Sequence, residues 1–237
     1  MAEQKTSRGI QGALVKLWRG GDYQLTVTGR TEITPNYLRL HFTGPALLDR
    51  PMHPTMWVRG WFPDGARSHQ RGYTLVNPDP ATGTVDIDFA LHEGVATRWA
   101  REAAPGDVLE VTLLGSDFAL PEPAPEGYVV VGDMASLPAI NSLLAAVGDA
   151  PARIFVEYTH HDDRELDIHG GRAVTWVERR DAGDSLVEAL RAAPFDASTH
   201  FGWVACDSRT TREVVKVLRD NYQMNRKSIK ARGYWEA

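Results

Sequence analysis

Pro121-Glu-Pro-Ala-Pro-Glu-Gly-Tyr-Val-Val-Val-Gly132 divides the chain into two kinds of sequence. Three prolines in a short stretch make a stiff, non-helical connection. Directly after them, Gly127-Tyr-Val-Val-Val-Gly132 is a continuous apolar run, the pattern of a strand buried on both faces. From there strands and helices alternate. A helix is expected over about 137–147, strands at Ala152–Tyr158 and Ala173–Glu178, a helix at Ser185–Arg191 and a strand at Phe201–Ala205. Asp207 or Ser208 then caps a helix whose Val214, Val215, Leu218 and Tyr222 keep a helical period, and Ser228–Trp235 ends the chain as a strand. Such alternation predicts a parallel α/β sheet with right-handed crossovers, whose strands offer a ligand their carboxyl ends.

Upstream of the prolines the rhythm is different. Tyr23–Thr28, Tyr37–Phe42, Met56–Phe62, Gly72–Val76, Thr84–Leu91 and Val108–Leu113 read as short strands. Between them lie turn signals such as Phe62-Pro-Asp-Gly65, Asn77-Pro-Asp-Pro80 and Pro105-Gly-Asp107, and one short helix interrupts at about 96–103. The expected fold class is therefore β + α/β. A six-stranded antiparallel β-barrel occupies 1–124, and a parallel α/β domain of nucleotide-binding type occupies 125–237.

Composition narrows the partners. Lys plus Arg number 26 against 31 Asp plus Glu, so the chain is acidic and no nucleic-acid partner is expected. No apolar run is long enough to span a membrane, and the first residues lack the apolar core of a secretory signal. Leu14, Val15, Leu17 and Trp18, beside Lys16 and Arg19, suit either membrane association or packing on the barrel. The single cysteine, Cys206, excludes an internal disulfide and an all-cysteine metal site. A cytoplasmic monomer is the default expectation.

Three motifs carry chemistry. In His69-Gln-Arg-Gly-Tyr-Thr-Leu75 the pleat puts Arg71 and Tyr73 on one face and Thr74 on the other. The guanidinium suits a phosphate, the ring a planar ring system, and the Thr74 hydroxyl a flavin edge. Alone, the triplet favours the plain reading of a surface arginine beside a half-buried tyrosine; the motifs downstream reverse that preference. The second motif is Asp88-Phe-Ala-Leu-His92 followed by Glu93-Gly-Val-Ala-Thr-Arg-Trp-Ala100, a strand that turns through Gly94 into a helix. Free backbone N–H groups near Ala96 and Thr97, with the helix dipole, suit a pyrophosphate. The plain alternatives are an ordinary first-turn threonine and a strand-end His92 that packs. The third, Gly132-Asp-Met-Ala-Ser-Leu-Pro-Ala-Ile140, lies where the first α/β strand meets its helix. It is neither a Walker loop nor G-x-G-x-x-G, so it points less directly to a pyridine nucleotide. His160, His161, Asp162 and Asp163 are read as a solvated loop, because neighbouring loop residues seldom converge on one ion; no metal is expected.

In this order and spacing, Arg71-Gly-Tyr-Thr, Asp88-Phe-Ala-Leu-His, Gly94-Val-Ala-Thr-Arg-Trp-Ala, Gly132-Asp-Met-Ala-Ser-Leu-Pro-Ala-Ile, Trp203-Val-Ala and Gly233-Tyr-Trp resemble the siderophore-interacting protein family. Its members are FAD-dependent ferric-siderophore reductases of ferredoxin–NADP reductase-like architecture. Arg8-Gly-Ile-Gln-Gly, Trp57-Val-Arg-Gly-Trp-Phe-Pro-Asp and Tyr158-Thr-His-His-Asp-Asp further resemble the reductase domain of mycobactin-type siderophore importers. The resemblance implies that Arg71, Tyr73 and Thr74 hold FAD and that Leu91, His92, Ala96 and Thr97 meet its ribityl and pyrophosphate groups. It also implies that Asp133 and Ser136 approach the flavin and that Tyr234 and Trp235 cover it. Arg59 stands where the family carries a lysine, and with Lys230 and Arg232 it would attract an anionic ferric siderophore. For Lys230 and Arg232 a solvated edge-strand pair is the equal alternative. The resemblance would place Cys206 near a nicotinamide site, with a small packing residue at a strand end as the equal alternative. The implied reaction passes electrons from NAD(P)H through FAD to Fe(III), with no catalytic side chain required. Departures at Met134 and at Trp203-Val-Ala-Cys-Asp leave NADH, NADPH and ferredoxin open as donors. A siderophore importer at the inner membrane face is a further expected partner. Two competing readings stay in view: a flavin reductase or electron-transfer flavoprotein with another acceptor, and a siderophore binder without activity.

Overall fold

The computed structural model describes residues 21–236, so Arg8-Gly-Ile-Gln-Gly and the apolar Leu14, Val15, Leu17 and Trp18 lie outside the described residues. The chain divides into two compact units at Phe118/Ala119.

The first unit holds β1 (Gly21–Thr34), β2 (Tyr37–Thr43), α1 (Pro45–Leu48), β3 (Trp57–Asp64), β4 (Arg67–Thr74), β5 (Val76–Asp79), β6 (Thr84–Ala90), α2 (Val95–Glu102) and β7 (Val108–Leu113). The strands form one antiparallel sheet in the order β4-β3-β7-β1-β2-β6-β5. Its two edge strands follow each other through Leu75, whose N–H donates to the Met56 carbonyl at 2.8 Å. This join rolls the sheet, and the rings of Tyr73 on β4 and Phe89 on β6 meet with centroids 4.5 Å apart. Inward-facing Leu40, Phe42, Val58, Phe62, Ile87 and Val111 are at most 1 % exposed and form the core. The sheet has seven strands, one more than the six expected. The addition is β5, whose Asn77-Pro-Asp79 reads as a turn. It pairs with β6 only at Val76↔Asp86 and Asp79↔Thr84, with an irregularity between. Proline lacks a donor, so such a segment fits only an edge.

The second unit holds β8 (Tyr128–Asp133), α3 (Leu137–Val147), β9 (Ala152–Tyr158), β10 (Val174–Glu178), α4 (Asp184–Ala192), β11 (Phe201–Asp207), α5 (Ser208–Asp220) and β12 (Ile229–Trp235). All its strand pairs are parallel, in the order β10-β9-β8-β11-β12. The apolar run is the central strand, and Val129, Val130 and Val131 are fully buried because helices cover both faces. Asp207, not Ser208, caps α5: its Oδ1 accepts the N–H groups of Arg209 and Thr210 at 3.0 and 2.9 Å. The segment after β9 is not wholly solvated. His161–Glu165 is a 3-10 turn, and buried Asp163 accepts the N–H groups of Thr159 and His160 at 3.0 and 2.8 Å. Among the described residues, no helix is long and apolar enough to cross a membrane.

Candidate functional site

The β3–β4 pair sorts the first motif onto two faces. Tyr73 pairs with Val58 and turns its ring inward, 5.6 Å from Phe62 and 4.5 Å from Phe89. Burial pushes its hydroxyl pKa up despite the nearby Arg71, so Tyr73 is a neutral phenol. Arg71 is exposed, and one Nη donates to the Gln70 carbonyl at 2.8 Å. Thr74 lies on the opposite face, where Trp57↔Thr74, Arg59↔Gly72 and Trp61↔Gln70 face each other across the strands. There the Arg59 guanidinium stacks over Trp57 at 5.3 Å and donates to Gln70 Oε1 at 3.3 Å. Thr74 is 5 % exposed, yet its hydroxyl has no partner among the described residues. A buried hydroxyl left this way costs free energy until a donor or acceptor arrives.

The second motif is held against the first. Trp99 on α2 stacks edge-on to Phe62 at 5.5 Å, the ring that Tyr73 also touches. Gly94 enters the helix at φ 157, in the region that favours glycine, and no side chain caps the first turn. The N–H groups of that turn therefore have no side-chain acceptor of their own. Thr97 is buried, and its hydroxyl accepts the His92 N–H at a long 3.5 Å. The His92 ring turns back on its own chain, with Nδ1 2.7 Å from the Glu93 carbonyl. Leu91 is half-buried against the barrel core. An uncapped helix start, an exposed arginine on the adjoining strand and an orphaned threonine hydroxyl fit the pyrophosphate and ring edge of FAD. The two face assignments of Arg71 and Thr74 match those read from the pleat. The structure adds that Arg59 shares Thr74's face.

In the second unit the third motif folds on itself. Ser136 Oγ donates to the Asp133 carbonyl at 3.0 Å and accepts the Asp133 N–H at 2.9 Å. A Cβ at position 132 would lie 2.2 Å from that Oγ, so any side chain there would displace the Ser136 hydroxyl from these bonds. Asp133 Oδ1 accepts the Ser136 N–H at 3.1 Å, and Oδ2 accepts the indole N–H of Trp235 at 2.8 Å. The indole face lies against the guanidinium of Arg179, 4.8 Å away. Arg179 in turn pairs with Glu157 and, at 3.4 Å, with Asp207. Burial, with Asp133 and Asp207 nearby, lifts the Glu157 carboxyl to about 7 even with Arg179 beside it. Burial likewise raises Asp133, against the hydrogen bonds from Trp235 and Ser136. Burial opposes ionisation of Asp207 too, but the hydrogen bonds from Thr210, with Arg179, more than offset it and hold that carboxyl low. Cys206 is fully buried, and burial first and the carboxylates second push its thiol well up, so it is a packed thiol. Tyr234 packs edge-on to Trp203 at 6.3 Å. Lys230 and Arg232 project, exposed, from β12, an edge of the sheet.

Asp133, Ser136 and Trp235 were legible as site residues in the sequence; Arg179, which lies against Trp235, and Glu157 and Asp207, which pair with Arg179, were not. A signal was present. Glu157 is a charge inside an apolar strand, and Arg179 and Asp207 stand at or just beyond strand carboxyl ends.

An antiparallel rolled sheet followed by a five-stranded parallel α/β unit defines a ferredoxin reductase-like fold. Residues 125–237 match the family model described as siderophore-interacting protein, and residues 48–115 match the siderophore-interacting FAD-binding domain. The chain belongs to the siderophore-interacting protein family. It is 40 % identical over 239 residues to the mycobactin import ATP-binding/permease protein IrtA of Mycolicibacterium smegmatis, an alignment covering 97 % of this chain and 27 % of that protein. It thus spans about a quarter of that relative's length. It is 29 % identical over 174 residues to ferric vibriobactin reductase ViuB of Vibrio cholerae, covering 70 % of this chain and 64 % of that one. The crystal structure of the siderophore-interacting protein SipS from Aeromonas hydrophila matches with a TM-score of 0.77 and 25 % identity, covering 91 % of each chain.

Proposed function

We propose that the chain is an FAD-dependent reductase of ferric siderophores, with NAD(P)H as donor: NAD(P)H + 2 Fe(III)-siderophore gives NAD(P)+ + H+ + 2 Fe(II) and free siderophore. The observation that carries the flavin half is the buried, unpartnered Thr74 hydroxyl at the end of Arg71-Gly-Tyr-Thr. Family membership and the likeness to ferric vibriobactin reductase support the acceptor.

Bound FAD would supply the exchange between a two-electron donor and a one-electron acceptor. The chain's own residues do the rest. Arg71 and the first turn of α2, at Ala96 and Thr97, hold the pyrophosphate. Leu91 and His92 border the ribityl chain. Thr74 fixes the ring edge by its hydroxyl, and Tyr73 is the apolar, uncharged surface beside it. Asp133, Ser136, Tyr234 and Trp235 are the second unit's contribution. Arg59, with Lys230 and Arg232, draws in an anionic ferric complex against the net charge of −5. Iron leaves because Fe(II) is held less tightly than Fe(III) by hard oxygen ligands. The 40 % identity to IrtA supports a mycobactin-type siderophore and a siderophore importer as partner. The test is Fe(II) capture by a chromogenic chelator from a ferric siderophore in the presence of NAD(P)H. Fast reduction of free flavin or ferredoxin without siderophore-dependent Fe(II) would reject the proposal.

A further inference from the structure

Arg179 and Trp235 come from opposite edges of the five-stranded sheet. Arg179 directly follows β10, the first strand in the sheet order, and Trp235 ends β12, the last. They nevertheless meet, guanidinium on indole at 4.8 Å. The three strands between carry buried carboxylates at or one residue before their ends, Glu157 on β9, Asp133 on β8 and Asp207 on β11: Arg179 pairs with Glu157 and Asp207, and Trp235 donates to Asp133. All three are at most 5 % exposed.

Their acceptor atoms are unevenly used. Asp207 Oδ1 is committed to the start of α5, and both Asp133 oxygens accept N–H groups. Glu157 Oε2 accepts from Arg179, but Oε1 is buried with no partner among the described residues. With every carboxyl ionised the cluster would carry three negative charges against one positive charge. A buried group in that position gains most from holding a proton, because a proton removes one charge and supplies a donor at once.

We propose that Arg179 is the positioning residue for Trp235, and that Glu157 sets the firmness of its grip by gaining or losing a proton. When Glu157 is ionised, Arg179 is anchored at both carboxylates and presents a fixed plane to the indole. When Glu157 is protonated, one anchor becomes neutral and the plane loosens. The groups acting on Glu157 from neighbouring elements are Arg179, Asp133 and Asp207, with the Cys206 thiol close by. Burial and the carboxylates place the Glu157 titration at about 7, within the working range of a cell. The bearing of this device on electron transfer rests on the proposed flavin role of Trp235; the device itself does not.

The test reads Trp235 directly in the full chain, without a flavin or turnover readout. The seven tryptophans are replaced by 5-fluorotryptophan, and the Trp235 fluorine resonance is assigned from its loss in Trp235→Phe. Between pH 5 and 9, the Trp235 resonance is expected to move with a midpoint near 7. In Glu157→Gln the movement should vanish. In Arg179→Met the resonance should shift or broaden while those of buried Trp61 and Trp203 stay in place. In Arg179→Lys, which keeps the charge but not the planar fork, only part of the wild-type position should return. A titration that survives Glu157→Gln overturns the role of Glu157. An unmoved Trp235 resonance in folded Arg179→Met overturns the role of Arg179. Should Arg179→Met fail to fold, Arg179→Lys decides the second point, and a wild-type resonance position there overturns it. Loss of FAD binding would leave all of these outcomes unchanged and would count against the flavin reading alone.

Discussion

Thr74→Val separates the flavin reading from ordinary packing, because it predicts effects of opposite sign on two measurements. Thr74 is 5 % exposed and its hydroxyl is unsatisfied among the described residues. Valine keeps the branched shape suited to a strand and removes the polar atom. An unmade hydrogen bond at a buried group costs about 1–3 kcal/mol, so the flavin-free variant should be more stable by about 1 kcal/mol. For a unit of this size that corresponds to a melting temperature higher by about 4 °C. If the hydroxyl meets FAD, the variant loses a bond worth about 0.5–1.5 kcal/mol, and FAD should bind about twofold to tenfold more weakly. Thermal unfolding of the flavin-free protein reads the first quantity, and quenching of FAD fluorescence on titration reads the second. Unchanged FAD affinity would remove Thr74 from the site. Destabilisation of the flavin-free variant by more than about 1 kcal/mol would mean that the hydroxyl already bonds within the protein.

Three further outcomes follow from the geometry. Arg71→Ala should strip FAD while leaving the melting temperature of the flavin-free protein within a degree or two, because Arg71 is exposed; purification with full FAD would dismiss it as the phosphate clamp. Arg59→Ala should raise the KM for the ferric substrate several-fold with FAD content intact, and an unchanged KM would remove Arg59 from substrate binding. The Glu157 carboxyl stands at about 7 in the folded chain against an ordinary 4.5, so its stabilising contribution is complete below pH 4.5 and is lost as pH rises through 7. Chemical denaturation should show the wild type losing up to about 3 kcal/mol across that window relative to Glu157→Gln, and parallel pH profiles would refute the assignment.

Much of this was legible because it depends on local periodicity. The continuous run at Val129–Val131 could only be a strand covered on both faces, and alternation after it implied parallel order. The pleat alone sorted Arg71 and Tyr73 from Thr74. What stayed hidden depends on distance across the sheet. Arg179 and Trp235 are 56 positions apart and stand at opposite edges of the sheet; they meet only because parallel order sets every strand's carboxyl end at the same end of the sheet. The seventh strand was hidden for a different reason. Asn77-Pro-Asp79 has turn chemistry, and only its place at the sheet edge lets a proline-bearing segment pair at all.

Ferric-siderophore reduction by this chain is decided by mixing FAD-loaded protein with NAD(P)H and a ferric mycobactin-type siderophore, anaerobically, in the presence of an Fe(II) chelator. Siderophore-dependent capture of two equivalents of Fe(II) for each NAD(P)H oxidised is expected, and it should be abolished in protein stripped of FAD. Fe(II) formation no faster than in the protein-free control, from protein that holds FAD, would contradict it.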